Sequence, residues 1–181
     1  MENINLFELQ NFPNDMKLYG SSKFRTPRCV DDRVPIIVLP EGTTCGVNTW
    51  GNKSYLQVTF SKEEASKFDK ITNWLQKEAE AANEGGIAKL IHPILQEIDC
   101  DKFQVRIKLP EVFSVINSDG TESNSFHSTH GATMRCAVEM PCLWENKESI
   151  GLSLQMIQCK ITQHQKCLIQ PMHEDPEYVP F

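Results

Sequence analysis

The sequence predicts a mainly β domain that curls into a small barrel, with one amphipathic helix laid over the sheet and a flexible acidic tail after it. Three observations predict this. Met134 to Ile161 (MRCAVEMPCLWENKESIGLSLQMIQCKI) reads as two strands folded back around the polar turn Glu145 to Ser149. Lys102 to Leu109 (KFQVRIKL) alternates apolar and polar residues without a break, the period of a half-buried strand. Ser61 is followed three residues later by Glu64, a capping box that satisfies exposed N–H groups at a helix start. Behind it Ala65, Phe68, Ile71, Leu75 and Ala79 recur at helical spacing.

The hairpin sets the architecture. On its first strand Cys136, Val138, Met140 and Cys142 are expected on one face, with Arg135, Ala137 and Glu139 on the other. On the second strand Ile150, Leu152, Leu154 and Met156 alternate with polar residues and Gly151, then the apolar parity changes to Ile157, Cys159 and Ile161. That change implies a bulge, a strong bend or burial on both faces. Long bent hairpins are what a curled sheet or small barrel requires.

At 181 residues the chain suffices for one domain with a real core. Its net charge of −6 argues against holding a polyanion by bulk positive charge, while leaving room for a local basic groove. Seven cysteines occur with no C-x-x-C pair, and three of them lie in the hairpin strands, so they are expected as reduced, structural thiols in an intracellular compartment. The N-terminus lacks a basic region followed by an apolar run, so no signal peptide is expected. No stretch reaches the length of a membrane span, and no membrane partner is expected.

Taken in order, residues 1–33 form an arm in which Lys17, Lys23, Arg25, Arg28 and Arg33 are offset by few acids. It either lies along phosphates or is a solvated lead-in. Val34 to Leu39 is a β-branched strand, and Glu41 to Ser54 is a Gly/Thr/Asn-rich loop carrying Trp50. Trp50 is either a stacking platform for a nucleobase or a cap on the end of the core. Tyr55 to Phe60 is a strand with Leu56, Val58 and Phe60 on its inner face, and the helix spans 61–84, ended by Gly85-Gly86. Trp74 lies beside the apolar stripe, as packing. Ile87 to Ile98, interrupted by Pro93, reads as a short docking helix or an irregular segment.

The outward face of 102–109 carries Lys102, Arg106 and Lys108. Three like charges keep that face off a core and suit either a phosphate backbone or a solvated edge. Val112 to Ile116 continues as strand and Ser118-Asp119-Gly120 as turn. The following polar loop holds His127 and His130, but with no further ligand nearby no metal site is expected. The segment 163–181, ending HEDPEYVPF, is an acidic tail that does not fold by itself. There is no P-loop, G-x-G-x-x-G, G-x-S-x-G or H-E-x-x-H, so no catalytic residue, cofactor or enzyme activity is assigned.

The order strand, helix, basic strand, turn and closing hairpin, with Cys142-Leu143-Trp144 before the last turn and Gly151-Leu152-Ser153-Leu154 after it, resembles the OB-fold single-stranded-DNA-binding proteins of large DNA viruses and, more loosely, of phage replisomes. The resemblance covers Tyr55 to Ile161. It implies an OB-fold-like domain at 34–162 that coats single-stranded DNA without sequence specificity in replication, recombination or repair, inside the cell at sites of DNA replication. Bases are then expected on Trp50, Tyr55 or Trp144, and phosphates on Lys53, Lys102, Arg106, Lys108, Arg135 and Lys160. The tail, with Asp175, Glu177 and Phe181, is similar to the acidic, Phe-terminated tips of bacterial and phage single-strand-binding proteins, which implies docking of replication proteins. Its three carboxylates after Met172 are fewer than in that family, and carry half of the net negative charge. Modest affinity raised by cooperative or homo-oligomeric binding follows. The rival expectation is a virion structural or assembly protein whose β domain serves protein contacts alone.

Overall fold

The computed structural model describes residues 6–13, 15–21, 23–29, 31–82, 89–126 and 130–163. Along the chain run β1 (Leu6–Glu8), a 3-10 turn (Leu9–Asn11), β2 (Lys17–Ser21), β3 (Phe24–Arg28), β4 (Ile36–Val38), β5 (Gly42–Trp50) and β6 (Lys53–Ser61). Two helices follow, α1 (Lys62–Ser66) and α2 (Asp69–Ala81), then β7 (Leu90–Ile91), β8 (Leu95–Asp99) and β9 (Lys102–Leu109). The chain continues with β10 (Ser114–Ile116), β11 (Glu122–Ser123), β12 (Thr133–Glu145) and β13 (Ser149–Gln163).

Five of these strands close a ring. β5 pairs with β6, β6 with β9, β9 with β13, β13 with β12, and β12 returns to β5 at Thr133↔Thr43 and Met134↔Gly42. Every pairing is antiparallel except β9 with β13, which is parallel and touches at Gln155↔Lys108. In chain order the ring therefore runs first, second, third, fifth, fourth, the strand order of a five-stranded OB barrel. Closure leaves few bare edges.

Alternation decides the interior. Leu56, Val58 and Phe60 of β6, Val105 and Ile107 of β9, and Met134, Cys136, Val138 and Met140 of β12 are all buried. One end of the barrel is covered by the helices, because Ala65, Phe68, Ile71, Leu75 and Ala79 form one buried stripe with Trp74 beside them. The rings of Phe60 and Phe68 lie 5.3 Å apart and those of Phe12 and Trp74 5.9 Å apart. The Ser61 hydroxyl accepts from the Glu64 N–H at 3.3 Å, as the capping box predicts, but the Glu64 carboxylate turns to Lys67 at 2.7 Å. The single expected helix is two, since Lys67 and Phe68 bond three residues back to Glu64 and Ala65, a tight turn that restarts the helix.

The parity change after Met156 is a bulge. Ala137 faces Gln158 while Val138 faces Met156, so Ile157 is the extra residue. A second bulge corrects an expectation on β12. Cys142 is only half-buried and Leu143 takes the core position, because Glu139 faces Gln155 whereas Cys142 faces Ser153. Pro141 sits in that irregularity, where a residue without an N–H is tolerated within a strand.

Three further readings change. The expected loop 41–54 is β5 and its hairpin turn, in which Gly46 (φ +97°) marks a bulge and Gly51 (φ +62°) opens the turn. The described part of 87–98 is not a helix but holds β7 and β8 on either side of Pro93. Residues 1–33 are more than an arm: β1 pairs with β4, β2–β3 form a hairpin joined to β12, and Leu9 and Phe12 enter the core. Strand β13 also takes in Gln163, and the tail beyond it, with Cys167, lies outside the described residues.

Cys136 and Cys159 face each other across β12–β13 inside the barrel. Burial, with Cys159 adjacent, pushes the Cys136 thiol well above its ordinary range, and burial pushes Cys159 to about 12. Only thiolates alkylate readily. Iodoacetamide at mild alkaline pH is therefore expected to label exposed Cys100 in the folded protein and Cys136 and Cys159 only after unfolding, as read by peptide mass spectrometry.

Candidate nucleic-acid interface

Directly opposed residues share a sheet face. Asn48↔Tyr55, Tyr55↔Lys108 and Lys108↔Gln155 therefore make one outward row across β5, β6, β9 and β13, with Gln57↔Arg106 beside it. Gln155 extends the row to β12 by donating to the Glu139 carboxylate at 2.9 Å. At the tip of the β5–β6 hairpin Trp50 faces Lys53 across the Gly51-Asn52 turn, and Trp50 is 76% exposed. That exposure removes the core-cap reading of Trp50 and leaves an indole face open to a ligand.

The opposite wall is Trp144. Its indole lies on Gly151, where a Cβ would come within 2.2 Å of the ring, and His92 meets it edge-on with centroids 5.7 Å apart. Trp144 is thus a held wall, while Trp50 stands exposed at the hairpin tip. Behind it Glu145 is paired with Arg25 at 3.1 Å and with Lys89, so its charge is committed away from the wall. Arg25 also approaches Glu78 at 3.9 Å, whose carboxyl burial raises and Arg25 partly lowers.

Between these walls lies a groove of about 660 Å³ lined by Trp50, Lys53, Tyr55, Arg106, Lys108 and Trp144 among others. Six of the nine residues expected to meet nucleic acid are thereby brought together. Among the described residues no carboxylate lines this groove, although the chain carries 24 acidic residues against 18 basic ones. A concave strip of one sign focuses field beyond what net charge suggests. Aromatic faces alternating with cations in such a strip suit stacked bases and a phosphate chain.

The other three are elsewhere. Lys102 shares the outward face of β9 but faces Ser61 and Asp99 at the far end of the strand, roughly 20 Å from Lys108 at the usual rise. Arg135 bonds Glu8 at 3.1 Å and faces Lys160 across β12–β13, so this pair lies outside the groove. Asp175, Glu177 and Phe181 lie outside the described residues, as does His127. His130 donates from Nδ1 to the Cys45 carbonyl at 2.9 Å, and among the described residues no group of three metal-ligating side chains converges.

Asn48, Gln57, His92 and Gln155 line the groove without having been singled out in the sequence. Asn48 had a local signal, two residues before Trp50 on the same strand face. Gln155 had none, because only the parallel pairing of β9 and β13 brings it beside Lys108.

No family model matches the chain, and no curated protein matches it in sequence. Solved structures do. The crystal structure of gp2.5, a single-stranded DNA binding protein encoded by bacteriophage T7, superposes with a TM-score of 0.55 at 11% identity, covering 81% of this chain and 98% of that one. The single-stranded DNA-binding protein from bacteriophage Enc34 gives 0.56 at 12% identity, covering 86% and 95%. Its complex with ssDNA gives 0.55 at 10%, covering 83% and 96%. This chain has the fold of phage single-stranded-DNA-binding proteins. At such identities the likeness is one of backbone. Among the described residues no helix is long and apolar enough to cross a membrane.

Proposed function

We propose that this protein binds single-stranded DNA without sequence specificity, as a viral protein of DNA replication, recombination or repair. The action is binding, with no covalent step. The observation that carries the reading is the groove, without a carboxylate among the described residues, in which Trp50, Tyr55 and Trp144 stand among Lys53, Arg106 and Lys108. Bases stack on the aromatic faces, which every base tolerates, while the cations meet phosphates. That the similar Enc34 protein has been solved with ssDNA supports the same ligand here. The tail residues Asp175, Glu177 and Phe181 serve replication proteins in this proposal, homo-oligomeric binding raises affinity along a strand, and the site of action is intracellular DNA replication.

Fluorescence anisotropy with labelled oligo-dT at low and moderate salt tests the reading. Binding at micromolar protein that weakens with salt is expected, and its absence at low salt overturns the proposal. Trp50→Ala is expected to cost about 1–3 kcal/mol of binding. Its thermal midpoint should match the wild type, since the ring is 76% exposed and holds no part of the core.

A further inference from the structure

The parallel neighbours β9 and β13 meet at Gln155↔Lys108 and separate before that point. The first half of β9 pairs instead with β8 (Leu95↔Val105, Gln96↔Gln104), and the start of β13 pairs with β7 (Ser149↔Leu90, Ile150↔Ile91). Residues 92–94 cross from one to the other, tied to β13 by the His92 N–H donating to the Ile150 carbonyl at 2.8 Å. Pro93 cannot continue either ladder, so the crossing stays clear of the strands. The opening beneath it is a second hollow of about 450 Å³, walled by Pro93, Ile94, Gln96, Gln104 and Leu154. It is continuous with the aromatic groove, since His92, Arg106, Leu152 and Leu154 line both.

The chemistry changes at Arg106. On the groove side stand aromatics and cations. Among the described residues the second hollow has no carboxylate, no aromatic ring other than the His92 imidazole, and no cation but Arg106 itself. Its remaining walls are proline and aliphatic carbon, with the amides of Gln96 and Gln104 set opposite each other on β8 and β9. A carboxamide both donates and accepts, so it can satisfy either kind of group on a heterocycle edge. The Arg106 guanidinium reaches Gln96 Oε1 at 3.5 Å and retains donors for an anion at the saddle between the two hollows.

Resting on the single-strand reading, we propose that the second hollow is a base-accepting subsite: a phosphate sits on Arg106, one neighbouring base lies against Tyr55 and Trp144, and the next enters between Pro93, Ile94, Leu154 and the two glutamines. Apolar walls accept the heterocycle faces, and the amides take whichever edge arrives, so the subsite adds length to the bound strand without adding a strong base preference. The strand then crosses the barrel over β9, and does not end at the Trp144 wall.

Photocrosslinking of the full-length protein to an oligo-dT containing 4-thiothymidine, followed by peptide mapping, tests this. Crosslinks are expected both at Trp50 or Trp144 and at residues 93–96 or 104, which line the second hollow alone or lie within its crossing segment. Crosslinks confined to the first set overturn the subsite and leave DNA binding standing, whereas failure of the oligonucleotide to bind at all overturns the function itself. As a second measurement, the ratio of affinities for oligo-dT of about twelve and about four nucleotides is expected to fall by about fivefold or more in the Ile94→Ser/Gln104→Ala double variant. An unchanged ratio in a folded variant overturns the subsite as well.

Discussion

Reversing Arg106 and Lys108 together to glutamate is expected to lower affinity for oligo-dT at low salt on the order of 100-fold or more, with the fold intact. The two side chains lie on one outward strand face, beside Gln57 and Tyr55 on β6, and Lys108 also adjoins Gln155 on β13. Among the described residues Lys53 is then the one lysine or arginine left in the groove lining, and two new negative charges would face the phosphates directly. Neutralising both to alanine should make the logarithmic salt dependence shallower by about 1.4, at roughly 0.7 per phosphate contact on a single strand. Lys160→Ala supplies the contrast, since Lys160 faces Arg135 outside the groove. Anisotropy titrations across a salt series read all three variants. An equal loss for Lys160→Ala would mean that diffuse charge, and not this groove, holds the strand.

Phe60→Ala is expected to cost about 3–5 kcal/mol of folding stability, a large share of the roughly 5–15 kcal/mol that such domains possess. Phe60 is 2% exposed and its ring joins the barrel to the helices through Phe68. The surroundings have little freedom to collapse into the space. Gly42 on the neighbouring strand already lies so close that a Cβ there would come within 2.6 Å of the Phe60 ring. Urea denaturation should show the loss as a lower midpoint with an unchanged slope. Val112→Ala, at a position 82% exposed, should remain within about 0.5 kcal/mol of wild type. Equal effects at the two positions would mean that the helices do not depend on this ring for their seat.

The elements legible in the sequence were those whose pattern is local. Strand β9 has the predicted bounds, Lys102–Leu109, because its alternation is unbroken and its inner residues Val105 and Ile107 have no polar competitor. The parity change after Met156 was visible because a bulge displaces every later apolar residue by one, and Ile157 is that residue. The bulge at Pro141 shifts the apolar parity in the same way, so that Leu143 and not Cys142 takes the core position. Strand β5 was harder to see. Its Gly and Asn residues are turn formers in isolation, and they are extended here because β6 and β12 supply hydrogen-bond partners on either side.

The candidate site divides in the same way. Sequence alone determined that Arg106 and Lys108 share an outward face, that Tyr55 faces away from Leu56, and that Trp50 stands in polar company, since strand periodicity is a property of the chain itself. Tertiary structure decided which faces meet. Backbone N–H and C=O groups are alike at nearly every residue, so a ladder does not announce its partner, and a parallel neighbour need not be near in sequence. The pairing of Lys108 with Gln155 and the hollow beneath residues 92–94 follow from barrel closure, while the register of the β12–β13 hairpin seats Trp144 on Gly151. That closure gathers the groove cations and leaves Lys102, Arg135 and Lys160 outside it.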